Sequence, residues 1–448
     1  MSNRLVIFSL AVVFAVACWG CQKPAQPLPI PSIEKDYSKQ LAPGQFALRK
    51  IDPSQYPNFG DAWYKAKGTG LRRAVQYSIA YLNKPSSQKY YPLGPITHER
   101  ALTSLQVFLQ ILDQANSPEA MDKLVRENFD VYMSVGCDDE GTVLFTGYYT
   151  PIFDGSLART ERFQYPLYKL PPGFQKDAEG NPIGGAYNTR QEIEQGNLLV
   201  GNEIVWLGDR FEAYVVTVQG SGFIRLEDGN MYEIGYAGHN GREYTPIGQT
   251  MIQDGKIPKN KLSLDALIRY FKEHPEDLDQ YLYKNERYVF FQEAKGGPFG
   301  CLGQPVTDYH SVATDKDIFP RACLSFVDTR VPIVVGDPLR PYRSFVCDQD
   351  RGAAIRAPGR CDLYMGVGDE AGKIAGFTYS EGKLFYLFAK DGVKPAAAAP
   401  AAGNVAPPGA GPADAAGAKA PANPKPGPAA ASPAAPKPSA APKPAPKP

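Results

Sequence analysis

Histidine is scarce in this chain, with 4 among 448 residues, and His98, His239, His274 and His310 stand far apart. No Cys-x-x-Cys pair accompanies them, so the ligand spacing of a zinc site is missing and neither a metal nor another cofactor is expected. An excess of charge is missing too: 48 Lys and Arg face 47 Asp and Glu, a formal net charge of +1. Nucleic acid, whose binding ordinarily needs a clustered basic face, is therefore not an expected partner, and a largely neutral ligand such as a glycan fits better. After the first 20 residues no apolar run is long enough to span a bilayer.

What is present begins with a leader. Arg4 is followed by an apolar run from Leu5 to Ala17 and then ACWGCQKP, the shape of a signal peptide over residues 1–20. A cysteine at the small-residue cleavage site suggests lipid modification, at Cys21 after Gly20 by preference, with Cys18 after Ala17 as the alternative. Gln22 beside the lipid is compatible with anchoring on the periplasmic face of an outer membrane. Residues 21–45 are proline-rich and polar, a tether. Residues 393–448 are almost entirely alanine, proline, glycine and lysine, with too little apolar surface to offset ordering entropy, and are expected to be a disordered tail. Cys137, Cys301, Cys323, Cys347 and Cys361 remain; five cannot all pair, though an oxidising compartment allows one or two disulfides.

Between tether and tail, periodicity changes once. Before residue 130 apolar residues recur at helical spacing in LRRAVQYSIAYLN and ERALTSLQVFLQILDQA, and Ser117-Pro118 opens a third helix. Beyond it come short β-branched and aromatic runs broken by glycine and proline: TVLFTGYY, NEIVWLG, FEAYVVTVQGSGFIRL, RYVFFQE, CLSFVDT, YRSFVC and KLFYLFAK. One helical stretch, SLDALIRYFKEH, interrupts them. Such punctuation predicts β-barrels, with the helices packed as a flank, rather than a parallel sheet with crossover helices.

The segment richest in chemistry is DQDRGAAIRAPGRCDLYMGVGDEAGKIAG, from Asp348 to Gly376. Read as a strand of period 2, Cys361, Leu363 and Met365 point one way and Asp362 and Tyr364 the other. A carboxyl and a phenol then share a face whose reverse packs on the core. Taken alone, an aspartate near glycines is more commonly a turn former than a catalyst.

This segment resembles the 3D domain of the membrane-bound lytic transglycosylase A family, whose pattern is D-x-G-x-A-I-x-x-P-G-R-x-D-L-Y-x-G-x-G. The chain supplies Asp350, Gly352, Ala354, Ile355, Pro358, Gly359, Arg360, Asp362, Leu363, Tyr364, Gly366 and Gly368. Ala353 and Ala357 stand where relatives tend to carry glycine, and Arg356 where they often carry lysine. Other blocks agree in order: Phe145 to Pro171, Thr217 to Gly229, Gly235 to Gln249, Glu286 to Glu293 and Gly297 to Thr307.

The resemblance implies a mainly β fold: a double-psi β-barrel from residues 46–151 and 292–392 with N-terminal helices, a second barrel-like β domain (152–291) inserted in it, and a substrate groove between them. It implies a lyase acting on peptidoglycan glycan strands, forming 1,6-anhydromuramoyl ends, with Asp362 as the single acid/base and Asp350 in support. Thr146, Tyr148, Gln219, Ser221, Tyr236, Asn240, Arg356 and Tyr364 are the candidate sugar contacts. Two rivals stay open: a wall-binding lipoprotein without chemistry, and a hydrolase pairing Asp362 with Asp369 or Glu370. A Cys361 nucleophile is disfavoured, since no histidine is nearby to activate it.

Overall fold

The computed structural model describes residues 35–396 apart from 43, 178, 259–261 and 335–337. The expected signal peptide, the lipid cysteine Cys21 and nearly all of the tether and tail lie outside the described residues. Among the described residues no helix is long and apolar enough to cross a membrane.

Three amphipathic helices, Thr69–Leu82, His98–Gln114 and Pro118–Asn128, form the N-terminal flank. Two start on side-chain caps: the Thr97 hydroxyl accepts from Arg100 N and the Ser117 hydroxyl from Ala120 N, each filling an orphan donor of the first turn. Their buried faces meet the main β-structure through aromatic rings. Phe108 of the second helix lies 4.7 Å from Phe345, and Phe59, on a short turn ahead of the three helices, lies 5.1 Å from Phe326. Each such fully buried ring contributes about 2–3 kcal/mol of hydrophobic stabilisation.

The strands among the described residues are β1 (Leu48–Lys50), β2 (Phe129–Ser134), β3 (Val143–Thr150), β4 (Ile152–Ser156), β5 (Tyr165–Tyr168), β6 (Glu203–Leu207) and β7 (Gly222–Arg225). They continue with β8 (Met231–His239), β9 (Val289–Glu293), β10 (Ser311–Ala313), β11 (Leu324–Val331), β12 (Arg340–Asp350), β13 (Arg360–Val367) and β14 (Tyr379–Ala389). The order β14-β11-β12-β10-β13-β3 closes on itself because β3 pairs back onto β14, giving a six-stranded barrel to which β2 and β1 add at β14. Closure leaves the barrel strands without a free edge. Two pairs in the ring, β13 with β3 and β10 with β12, are parallel. A parallel pair needs a long crossover. The chain between β3 and β13 contains the whole second sheet, which joins strands 216 residues apart in sequence.

That second sheet has the order β5-β6-β4-β7-β8-β9, and a bridge between Lys169 and Phe291 ties the chain after β5 to β9, curling the sheet towards a barrel. The expected fold, a β-barrel with an inserted barrel-like β domain and flanking helices, is the one observed. One expected strand is a helix. The run FEAYVVTVQ, expected as a strand, is the helix Arg210–Gln219. Its ends explain why: Asp209 accepts from Glu212 N at 2.9 Å, and Gly220 closes the helix at φ 81°. Burial of Phe211, Ala213, Tyr214, Val215 and Val216 then outweighs the strand preference of the valines. Helices at Arg190–Gln195, Ile247–Gln253, Leu278–Lys284 and Asp369–Phe377 also lie beyond the region where helix was expected.

Cys137, Cys301, Cys323, Cys347 and Cys361 are all free thiols, so the disulfides that an oxidising compartment allows are not formed among them.

Candidate active site

Parallel pairing sets the site. β13 lies in register with β3, so Asp362 is the partner of Thr146 and Tyr364 of Tyr148. The alternation expected from sequence holds: Cys361 and Leu363 are fully buried and Met365 nearly so on the core side, while Asp362 on the other side is half-buried. The Thr146 hydroxyl donates to Asp362 Oδ1. Arg360, two residues back on the same face, donates from Nη2 to Thr146 Oγ1 at 3.2 Å. Burial pushes the Asp362 pKa above its ordinary carboxylate value, with Arg360 and the Thr146 hydroxyl pulling the other way. Tyr244, on the loop after β8, has its phenol pKa raised by burial, with the charges of Tyr214 and then Asp362 adding to the rise. The carboxyl thus lies on the strand pair whose far end meets the inserted domain, at Tyr149 and Thr150 of β3.

Asp350 is set beside this centre, not against it. Ala313 on β10 pairs with both Asp350 and Asp362, so the aspartates flank β10 at one level, separated by roughly two strand spacings, about 10 Å. Asp350 Oδ1 accepts from Cys301 N and Arg351 N, both at 2.8 Å. Burial raises its pKa against the pull of those two bonds. No hydrogen bond joins the two aspartates. Tyr148, on β3, has a buried hydroxyl whose pKa is raised by burial and then by Asp350, Tyr364 and Asp362.

The other sequence-derived candidates divide. Gln219 and Ser221, on either side of Gly220, reach the seam between the two domains: Gln219 Oε1 accepts from Tyr149 N at 3.2 Å, and Ser221 Oγ lies 3.5 Å from Thr150 Oγ1. Tyr236 donates its hydroxyl to the Glu179 carbonyl oxygen at 3.2 Å, with its ring against Gly180. Arg356 is partly exposed and turns to Asp317. Two candidates need correction. Asn240 is fully buried; Nδ2 donates to the carbonyls of Asn188 and Glu286, and Oδ1 accepts from Tyr288 N and Arg242 N, so no capacity is left for a sugar. Tyr364 is 2% exposed, its ring 5.1 Å from Tyr148 and its hydroxyl 3.0 Å from Thr150 Oγ1, a support for the groove wall rather than its surface.

Two residues at the centre were missed as site residues. Arg360 shares strand parity with Asp362, a signal available in the sequence. Tyr244 lies in a matching block but on a loop, where parity gives no guidance. Of the carboxylates proposed as a hydrolytic partner, Glu370 is exposed and bound to Lys373 at 2.7 Å, and Asp369 is exposed at the start of the last helix. Cys361 is buried in the core, and burial holds its thiol pKa high, which removes it as a nucleophile.

Fold and site define a class of protein: two-domain β-proteins in which a closed barrel presents a partly desolvated aspartate to a domain inserted between its strands. The MltA specific insert domain matches residues 144–292 and the 3D domain residues 310–388. Membrane-bound lytic murein transglycosylase A of Escherichia coli K12 is 31% identical over 280 residues, covering 62% of this chain and 71% of that protein. The Vibrio cholerae protein of that name is 32% identical over 260 residues, 56% of this chain and 67% of its own length. A membrane-bound lytic murein transglycosylase from Agrobacterium tumefaciens shares the fold, with TM-score 0.64 at 24% identity over 77% of this chain and 98% of that one. So does E. coli MltA with bound chitohexaose, with TM-score 0.57 at 23% identity over 79% and 96%. The chain belongs to the membrane-bound lytic murein transglycosylase A family.

Proposed function

We propose that this chain cuts peptidoglycan glycan strands at the β-1,4 bond between N-acetylmuramic acid and N-acetylglucosamine without consuming water. Asp362 gives its proton to the departing O4 of N-acetylglucosamine as the C1–O4 bond breaks. The C6 hydroxyl of the same muramoyl residue forms the C1–O6 bond and returns its proton to Asp362, leaving a 1,6-anhydro ring. One carboxyl suffices because the nucleophile is tethered to the reacting carbon, which lowers the entropic part of the barrier.

The observation that carries this reading is a half-buried carboxyl with a raised pKa and a single hydroxyl donor. A general acid must hold its proton until the leaving oxygen needs it. Thr146 is suited to support the ionised state that follows. Asp350 and Tyr148 are positioned to tune the centre through their charge and burial, without direct contact between the carboxyls. Gln219 and Ser221 at the seam are the best placed for sugar hydroxyls and N-acetyl groups. The names of the relatives include glycan binding by E. coli MltA and membrane attachment, which accords with glycan strands in the groove and a lipid at Cys21 on the periplasmic face of the outer membrane, in a role in wall turnover.

A hydrolase would need a second carboxylate to activate water or attack the sugar. Asp369 and Glu370 are badly placed for this, so Asp350 would have to serve, although backbone N–H groups already engage it. Mass spectrometry of fragments released from purified sacculi tests the proposal. Anhydro ends lost in Asp362→Asn support it; ordinary reducing ends, one water heavier, refute it.

A further inference from the structure

A threonine hydroxyl carries one hydrogen and also accepts on its lone pairs, so beside a carboxyl it can point either way. At Thr146 the choice is settled by Arg360. Nη2 of Arg360 donates to Thr146 Oγ1 at 3.2 Å, and the Thr146 hydroxyl donates to Asp362 Oδ1. A guanidinium offers no acceptor and keeps its charge at every working pH. Were Thr146 to accept from Asp362 as well as from Arg360, its own hydrogen would be left without an acceptor, a loss in a half-buried site. The chain of donors therefore runs one way, from Arg360 through Thr146 to Oδ1.

That direction decides where the acid carries its proton. An oxygen that already takes a hydrogen bond serves better as the carbonyl oxygen of a neutral carboxyl than as its O–H. Oδ1 is so occupied, and Oδ2 has no hydrogen-bond partner among the described residues. Arg360 forms no salt bridge among those residues, and its Nε is buried without a partner, so the bond to Thr146 is the one its side chain makes. An arginine kept for stability alone would be better paired. Around Asp362 the other titratable groups are the phenols of Tyr148 on β3 and Tyr244 after β8 and the thiol of Cys361, all held protonated by burial, with Asp350 beyond β10.

We propose that Arg360 is a positioning residue of the reaction: by fixing the direction of the Thr146 hydroxyl it keeps the mobile proton of Asp362 on Oδ2. This rests on the glycan-cleaving reading above and assigns its proton transfers to one atom. The Oδ2–H bond breaks as O4 takes the proton and the C1–O4 bond opens. The C1–O6 bond forms, the O6–H bond breaks, and that proton returns to Oδ2. One atom can do both, because C6 stands on the β face of the pyranose, the face from which the β-linked O4 departs. Without Arg360, Thr146 is free to accept from Oδ1, and the proton is held away from O4.

Neutron diffraction of the deuterated full chain, on the acid side of the alkaline limb of kcat/KM, reads the proton directly. Deuterium is expected on Oδ2, with the Thr146 deuterium directed at Oδ1; deuterium on Oδ1 overturns the proposal. Arg360→Met removes charge and donors at similar length. It should raise the alkaline limb by about one pH unit or more, since a cation that favours the carboxylate is gone, and lower kcat about tenfold. Arg360→Lys, which keeps a charge and a donor, should recover most of both. In the Thr146→Val background, with no hydroxyl to direct, Arg360→Met should leave kcat unchanged; an equal fall there overturns the relay. The neutron measurement needs no variant, so a misfolded Arg360→Met leaves the proposal exposed to it. Ordinary reducing ends from the wild type would sink the cleavage reading, while the proton's place on the free acid would still be decided by diffraction.

Discussion

Two aspartates of the barrel, one inside it and one on its groove wall, have opposite surroundings. Asp348 on β12 is fully buried, bound by the Lys316 ammonium, by the Thr314 hydroxyl at 2.8 Å and by the Tyr386 hydroxyl at 2.6 Å. Asp362, one strand beyond β10, is half-buried and has the Thr146 hydroxyl as its donor, with Arg360 one bond further back. A saturated carboxylate has nothing left to offer a substrate; its partners rigidify the barrel. In the proposed mechanism it is burial with a single hydroxyl donor, rather than a filled set of partners, that would let Asp362 move a proton.

The strongest way to break that contrast is Asp362→Asn. Turnover of sacculi is expected to fall by about 10²–10⁴-fold or more, read as anhydro-muropeptide release, with the fold intact by circular dichroism. Because the folded-state pKa of Asp362 is raised, folding favours its neutral form. That contribution is present at acid pH and is lost as pH rises through the folded value. A permanently neutral asparagine should therefore melt like the wild type at acid pH and above it near neutrality. A lower melting temperature at neutral pH would mean that the charged aspartate is held better than the geometry indicates.

Asp348→Asn probes the other side. Removing one partner of a buried ion pair leaves Lys316 uncompensated, at an expected cost of about 3–5 kcal/mol in denaturant unfolding. Activity per folded molecule should be nearly unchanged. If stability barely moves while kcat collapses, the two aspartates have been assigned in reverse. Asn240→Ala is a smaller test of the same distinction between scaffold and site. It removes four hydrogen bonds to backbone groups, of which the Glu286 carbonyl keeps a second donor in Arg190 N, and the loss is expected to be about 1–3 kcal/mol, with KM for glycan fragments unmoved. A raised KM at unaltered stability would restore Asn240 as a sugar contact.

How much of this could be seen beforehand depended on the range of the forces involved. Strand parity is local, and it placed Asp362 opposite Cys361 and Leu363 correctly. Side-chain caps are local too, and Ser117 marked its helix. The helix Arg210–Gln219 was misread because its valines mimic a strand, and only packing against the sheet and Gly220 decide otherwise. Parity also put Tyr364 on the groove face, yet the same face of β13 turns inward beyond Asp362, where Tyr148 covers it. The partners of Asn240 come from three separate segments, and no spacing rule reveals such a set. Ala357, standing where relatives tend to carry glycine, adopts φ 71°, a conformation that costs a residue with a Cβ about 1 kcal/mol or more. Its N–H is held there by Asp315 Oδ2 at 3.1 Å, a contact invisible in the sequence.

The finest test acts on the one donor that separates the two aspartates in kind. Thr146→Val keeps the shape of the side chain and removes the hydroxyl that donates to Asp362 and accepts from Arg360. The ionised carboxylate loses support that the neutral acid scarcely uses, so Asp362 should hold its proton to higher pH. Since the free enzyme must start protonated, kcat/KM falls on the alkaline side as Asp362 ionises, and that limb should move upward. At neutral pH the rate should change by no more than about tenfold, because easier protonation is offset by slower acceptance of the C6 proton. A limb that stays in place would show that Thr146 merely packs beside the acid, and one that moves downward would mean that the hydroxyl serves the protonated form.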